Sequence, residues 1–431
     1  MSLGSPRPFV LAKCVWGEAY VDTMLSFNIP SLLSAQNAGA LGGGDVEHRV
    51  YTTAADRERI EAAPTYRRLA STVRCTIVVP DLDQGFGGIS PYETTIARMN
   101  AYHHRIVDDC AAAGAFWLFD QPDHFWGDGS IGHLIARAEA GCDVVCFSGV
   151  RTEETGISDA LSARRDPDSG AIEVSNRDLV GLAIEHLHFH DATRFWGPPI
   201  STDWPHHVAL RVTADCFIRR CFYPQPYLMR VSDSLRFERS VDESYIESAM
   251  AAGYRVEFVG DTDDFFVLEM SGKYQFPSYS VGRLSAGLVG NWALRHAADA
   301  HYQAFSRSIV YHSGEIPRRR LRHVERLARS IDGTIRKMRD FDRLAGSIAV
   351  DHPMAEAFVR LCLNDNDLLR NLRVPDSFKV ESLRQDGVPD LVRAACAPSD
   401  RDAFIRSVSA LIRPAAGATS PGIAAHSATR E

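Results

Sequence analysis

Along the first 150 residues, short apolar runs alternate with longer stretches in which apolar positions recur every three or four residues. The runs "PFVLAKCVWG", "HRVYTT", "VRCTIVVPD", "AFWLFD" and "CDVVCFSGV" read as strands. Between them, "AYVDTMLSFNIPSLLSA", "AADRERIEAAPTYRRLA", "YETTIARMNAYHHRIVDDCAAAG" and "IGHLIARAEAG" read as helices. The third has an apolar face through Ile96, Met99, His103, Ile106 and Cys110, with Gly114 placed as its C-terminal stop. This alternation predicts an α/β domain in which residues from about 8 to 150 form one mostly parallel, Rossmann-like sheet with helices on both faces. Ligands of such sheets gather at the carboxyl ends of the strands.

The rhythm changes near residue 160. "SARRDPDSG" reads as a loop, "SNRDLVGLAIEHLHFHD" as one amphipathic helix, and "RFWGPPISTDWPHH" as an irregular connection. "VALRVTADCFIRRCFYP" and "YLMRV" read as strands, and "VEFVGDTDDFFVLEM" as an apolar strand interrupted by acids. The remainder, including "LARSIDGTIRKMRDFDRLAG" and "DRDAFIRSVSALI", is mainly helical. The division this implies is a ligand-binding region over 1–280, a helical C-terminal region over 281–413, and a disordered tail over 414–431.

Composition narrows the class of protein. The 431 residues are 45% hydrophobic and 24% charged, an ordinary globular balance. A formal charge of −8 gives no global reason to bind nucleic acid or an anionic membrane. The nine scattered cysteines contain no CxxC pair and read as buried free thiols of a reducing compartment. No apolar stretch approaches the roughly 18 to 20 residues of a membrane span, and "MSLGSPRPF" lacks the apolar centre of a signal peptide, so a cytoplasmic location is expected. There is no GxGxxG after the first strand, no GxxxxGK[ST] and no GxSxG; "GALGGGD" lacks the strand-turn-helix setting of a phosphate loop and reads as a flexible connection.

The candidate chemistry starts in "FWLFDQPDHFWGDGSIGHL", where an apolar strand runs into Asp120, Asp123, His124 and Asp128. Carboxylates gathered at a strand end repel one another, which a cation or a sugar hydroxyl between them would relieve. Asp128, before Gly129-Ser130, could instead cap the next helix. A strand ending in closely spaced aspartates after three β-α units resembles the donor edge of GT-A-fold glycosyltransferases, and "PDHFWGDGS" is similar to a "PD…W.DG[ST]" element of bacterial glycosyltransferase-like proteins.

That resemblance covers about the first 270 residues. It implies a GT-A-like sheet, with Asp120, Asp123 and Asp128 binding a nucleotide-sugar donor and with Asp120 and Asp123 holding Mn²⁺ or Mg²⁺ on its diphosphate. The spacing Asp120-Gln121-Pro122-Asp123 is DxxD where the family has DxD, so the metal is held differently or is not needed. The implied acceptor is a saccharide, lipid or protein.

Two further clusters bear on the reaction. In "GDTDDFFVLEM", Asp261 reads as an acid of a turn between strands, while Asp263 or Asp264 could take a proton from an acceptor hydroxyl. In "EHLHFHD", His186 and His190 would share a face if the helix persisted, and a metal-dependent hydrolase built on His186 to Asp191 is the competing reading. The group lacks HExxH or a distant Cys/His set, so His190 and Asp191 are assigned to acceptor contacts and no zinc is expected. A catalytically silent nucleotide-sugar-binding module is the third reading. His312, at a predicted strand end in "IVYHSGE", lies where it could reach a phosphate, although a lone histidine is more often structural. "RRRLRHVERLARS" spreads arginines over more than one helix face, as a solvated surface does, with contact to an anionic lipid or polymer as the lesser alternative.

Overall fold

The computed structural model describes residues 8–81, 91–232, 240–272 and 279–348. Its first strand, β1 (Phe9–Cys14), is buried at all six positions, as expected of a parallel strand covered on both faces. β2 (Val46–Tyr51), β3 (Arg74–Val78) and β4 (Phe116–Phe119) follow, separated by helices that include Ala54–Ala62, Pro64–Thr72 and Pro91–Ala112. Next come β5 (His124–Trp126), β6 (Val144–Phe147), β7 (Val150–Glu153), β8 (Ile200–Thr202), β9 (His207–Arg211), β10 (Cys216–Cys221) and β11 (Gln225–Arg230). The last four are β12 (Val256–Phe258), β13 (Val267–Ser271), β14 (Tyr279–Val281) and β15 (Ile309–His312).

Seven strands form the central sheet in the order β12-β6-β11-β4-β1-β2-β3. All run parallel except β11, which is antiparallel to both β4 and β6. The chain therefore winds one way from β1 through β3 and then places β4 on the other side of β1. The runs "VRCTIVV" and "AFWLFD" share one sheet, as their alternation with helices predicts. The expectation for residues 8–150 needs one amendment: β5 and β7 leave the central sheet and flank β13 in a three-stranded sheet, and β11 separates β6 from β4. Smaller sheets are β15-β10-β9 and β14-β8.

Three helical segments depart from their predicted form. The segment after β1 is α-helical over Glu18–Thr23 and Ile29–Leu32 with a π-helical turn, Met24–Asn28, between them. "GALGGGD" is not a loop: the helix Ala35–Gly43 takes in most of it. "SNRDLVGLAIEHLHFHD" is two helices, Asn176–Glu185 and Phe189–Ala192. The helix breaks because the backbone beside β7 competes for it: Glu153 N–H donates to the His186 carbonyl at 2.8 Å and His188 N–H to the Arg151 carbonyl at 3.0 Å. His186 and His190 accordingly do not share a helix.

The described residues fall into two compact units, one within 8–285 and 296–329, the other within 286–295 and 330–348. The first holds the sheets and a core that includes Trp117, Phe119, Trp126, Phe147, Tyr227 and Tyr311. In the second, the helix containing residues 286–295 buries Val289, Trp292 and Ala293, and residues 330 onward contribute buried Ile331, Ile335 and Met338. A Cβ at Gly290 would stand 2.4 Å from Met338 Sδ, so glycine permits this approach. The helix Arg318–Ile348 is the last described element, and the predicted helix over 400–412 and tail over 414–431 lie outside the described residues. No described helix is long and apolar enough to cross a membrane. The seven described cysteines are free, six of them buried.

Candidate functional site

β1 and β4 are neighbours, so their carboxyl ends bring Lys13 and Asp120 together. The two form an ion pair with both side chains fully buried. Asn28, delivered by the π-helical turn, accepts from Lys13 Nζ and donates to Asp120 Oδ1 at 3.0 Å. Trp126 Nε1 and the Gln121 backbone N–H also donate to Asp120 Oδ1, each at 2.9 Å. Burial opposes the charge on Asp120, but the Lys13 ammonium and His124 hold its carboxyl well below the usual range. Each oxygen of Asp120 is thus committed to the protein, and the Asp120–Asp123 pair does not fit a divalent ion.

Asp123 differs sharply from its neighbour. It is half-buried and forms no ion pair among the described residues. Desolvation raises its pKa to about 6, reinforced by the nearby Glu269 carboxylate against the opposing effects of His124 and Arg151. Glu269, on β13, is bound by Arg151 of β7 at 2.5 Å. Asp242, in the first turn of the helix Val241–Ala251, also feels Glu269, and burial raises its pKa. Asp123 and Asp242 thus both feel Glu269, and burial shifts both toward protonation.

The other residues singled out by sequence have separate settings. Asp128 accepts from the Gln36 backbone N–H at 3.0 Å, capping the helix Ala35–Gly43 from across the chain and not the helix that follows it. Asp191 is buried between Arg194 at 2.8 Å and Arg219 at 2.7 Å. Burial opposes its ionisation, yet Arg219 and Arg194 hold it well below the carboxylate range. Burial, aided by Arg194, pushes His190 down to about 3. His103 is likewise pushed down to about 3 by burial, packed against the rings of Trp117 and Phe119. Asp264 is exposed.

The acidic turn after β12 makes a different arrangement. Val310 N–H donates to the Gly260 carbonyl at 2.9 Å and Thr262 N–H to the Val310 carbonyl at 3.0 Å, clamping the turn to β15. His312, at the end of β15 and 1% exposed, points Nε2 at Asp261 Oδ1 (2.9 Å) and Asp263 Oδ1 (3.5 Å). Its Nδ1 lies 2.7 Å from the Gly314 carbonyl, which can only accept. Nδ1 therefore donates to that carbonyl, and Nε2 faces the two carboxylates. Among the described residues this is the set of three ligand groups whose atoms converge, all within 4.8 Å, and it could hold a metal ion. Arg177 binds Asp263 through two hydrogen bonds of 2.7 and 2.6 Å and holds its carboxyl below the usual range. A cleft of about 770 Å³ opens beside the triad, with Arg177, Asp263, His312 and Glu315 on its lining together with Arg318 and Arg322.

Sequence reasoning did not find Lys13, Arg151, Arg177 or Asp242. A lysine inside the apolar run "FVLAKC" was the available signal for the first. Asp242 looks like any acid of a helix's first turn, and the two arginines acquire partners only through the tertiary fold. No protein-family model and no curated protein matches this chain.

Proposed function

We propose that the protein is a glycosyltransferase with a GT-A-like sheet, moving a sugar from a nucleotide-sugar donor to a saccharide, lipid or protein acceptor. The carrying observation is the position of Asp123: a half-buried carboxylate without an ion pair among the described residues, at the point where the winding of the parallel sheet reverses, between β1 and β4. Crevices at such reversals are where open α/β sheets bind nucleotides and related ligands. The strand-end segment "PDHFWGDGS" adds its resemblance to glycosyltransferase-like proteins.

In this reading Asp123 accepts hydrogen bonds from donor sugar hydroxyls, and Arg151, steadied by Glu269, is the cation near the donor phosphates. Asp242, rather than the Asp263 or Asp264 expected from sequence, takes the proton of the acceptor hydroxyl as the new glycosidic bond forms and the sugar's bond to the donor diphosphate breaks, the nucleoside diphosphate leaving beside Arg151. The Mn²⁺ or Mg²⁺ expected at Asp120 and Asp123 plays no part in this reading, because Asp120 is engaged by Lys13, Asn28 and Trp126. A nucleotide-sugar-binding module without turnover shares all but the last role of Asp242.

A thermal-shift screen of nucleotide sugars tests the reading. A donor present at a hundred times its dissociation constant should stabilise the fold by about 2.7 kcal/mol. A full panel of nucleotide sugars producing no shift would remove the proposal, whereas a shift without sugar transfer would identify the silent module.

A further inference from the structure

We infer that the cleft beside β15 is a second ligand site, which binds a divalent cation through Asp261, Asp263 and His312 and, on that cation, a phosphoryl group gripped by Arg318 and Arg322 of the same lining. This inference rests on the cleft alone and does not depend on the glycosyltransferase reading.

Three independent observations converge. The first is the ligand set. His312 is nearly fully buried, its Nδ1 proton is committed to Gly314, and Nε2 faces two carboxylate oxygens across 2.9 and 3.5 Å. The Nε2 atom and one oxygen from each carboxylate lie close enough together to share one cation, which would take the place of the His312–Asp261 hydrogen bond. Two oxygens and one imidazole nitrogen suit Mn²⁺, which leaves further coordination positions for water or phosphate. The second is preorganisation: the backbone clamp to β15, with Asn176 Nδ2 donating to the Asp263 carbonyl at 3.1 Å, fixes the turn without help from an ion.

The third observation is the pair of arginines on the same lining. Arg318 and Arg322 are exposed and, among the described residues, have no hydrogen-bond or ion-pair partner. They sit at the start of the helix Arg318–Ile348, where the helix dipole also favours an anion. Asp263 and Glu315 on the cleft would repel a phosphate by themselves; the cation reverses that, making phosphate binding conditional on metal. Arg322 also belongs to a row with Arg319, Arg326 and Arg329, spaced to lie along one helix face beside a recess of about 430 Å³. The acid within this row, Glu325, is engaged from beneath by Ser308 at 3.1 Å and Arg220 at 3.7 Å. The guanidinium fork matches phosphate oxygens, so the chemistry recognised is a phosphate or diphosphate, free or as a lipid headgroup.

Calorimetric titration of the full chain with Mn²⁺, and then with inorganic pyrophosphate at saturating Mn²⁺, tests the inference. Mn²⁺ should bind one per chain. Asp261→Asn and His312→Gln should each weaken it at least tenfold, while far-UV circular dichroism and thermal unfolding stay those of the wild type for Asp261→Asn, whose side chain is about one-third exposed. Arg322→Gln should keep Mn²⁺ affinity yet weaken pyrophosphate about tenfold. Sedimentation with phosphatidylglycerol vesicles separates the two sources of phosphate: capture that requires Mn²⁺ and is lost in Arg322→Gln assigns the headgroup, and its absence beside pyrophosphate binding assigns a free phosphate. Absence of Mn²⁺ binding to millimolar concentration would overturn the inference, as would Mn²⁺ binding unchanged in Asp261→Asn or pyrophosphate affinity indifferent to Mn²⁺.

Discussion

The acids after β4 and the acids after β12 look alike in sequence, each a cluster of aspartates closing a strand of the same sheet, yet the fold treats them in opposite ways. β4 lies in the interior of the sheet beside β1, and β1 supplies Lys13 to neutralise Asp120 in a dry setting. β12 is an edge strand, and the turn after it meets a histidine on β15 and an exposed arginine, which leave Asp261 and Asp263 about one-third exposed or more. The number of acids therefore does not decide which carboxylate is left open. Asp120 is closed because the neighbouring strand has already brought its counter-ion.

The sharpest break in this comparison is Lys13→Met. It strands Asp120 as an uncompensated buried charge and should cost about 3–5 kcal/mol in urea unfolding. The double variant Lys13→Met/Asp120→Leu should recover much of that loss, because both charges are then gone. Were the single variant as stable as wild type, the closed character of Asp120 would be lost as an explanation.

A smaller effect of opposite sign is expected at Asp123. Its folded pKa of about 6 lies above the ordinary carboxylate value, so the unfolded state ionises first as pH rises. Stability is then full below pH of about 4 and falls as pH rises through about 6. Asp123→Asn removes that penalty and should stabilise the protein at pH 7.5 by about 1 kcal/mol, after allowance for solvent reaching the half-buried group, with no gain at pH 4. Thermal unfolding at the two pH values checks the sign. The smallest effect belongs to Arg177→Met: with the arginine 52% exposed, loss of its pair with Asp263 should change stability by about 0–1 kcal/mol, in contrast to Lys13.

Sequence carried the alternation of strands and helices well, because buried parallel strands such as "FVLAKC" and "AFWLFD" are continuous apolar runs that periodicity detects. It could not carry sheet order. That β11, about a hundred residues after β4, would insert antiparallel between β4 and β6 depends on long-range pairing with no local signature. At the candidate site, the strand-end acids were visible but their environments were not: Asp120 and Asp123 are three residues apart, and only the π-helical turn that delivers Asn28, together with Lys13 from β1, distinguishes the buried ion pair of the first from the half-buried carboxylate of the second. "GDTDD" was visible as an acidic turn, while its convergence on His312 is created by the pairing of the turn with β15. The three histidines of "HLHFH" carried the opposite lesson, since backbone bonding beside β7 breaks the helix that would have aligned them.

Calorimetry of nucleotide-sugar binding to wild type and Asp123→Asn tests the central claim most directly. The substitution keeps the side chain's size and removes its charge, and the fold is expected to be no less stable for it. The account predicts donor affinity ten- to a hundredfold weaker, about 1.5 to 3 kcal/mol, for loss of a charged hydrogen-bond acceptor at the ligand. Equal donor affinities in the two proteins would contradict it and take Asp123, and with it the crevice between β1 and β4, out of the functional site.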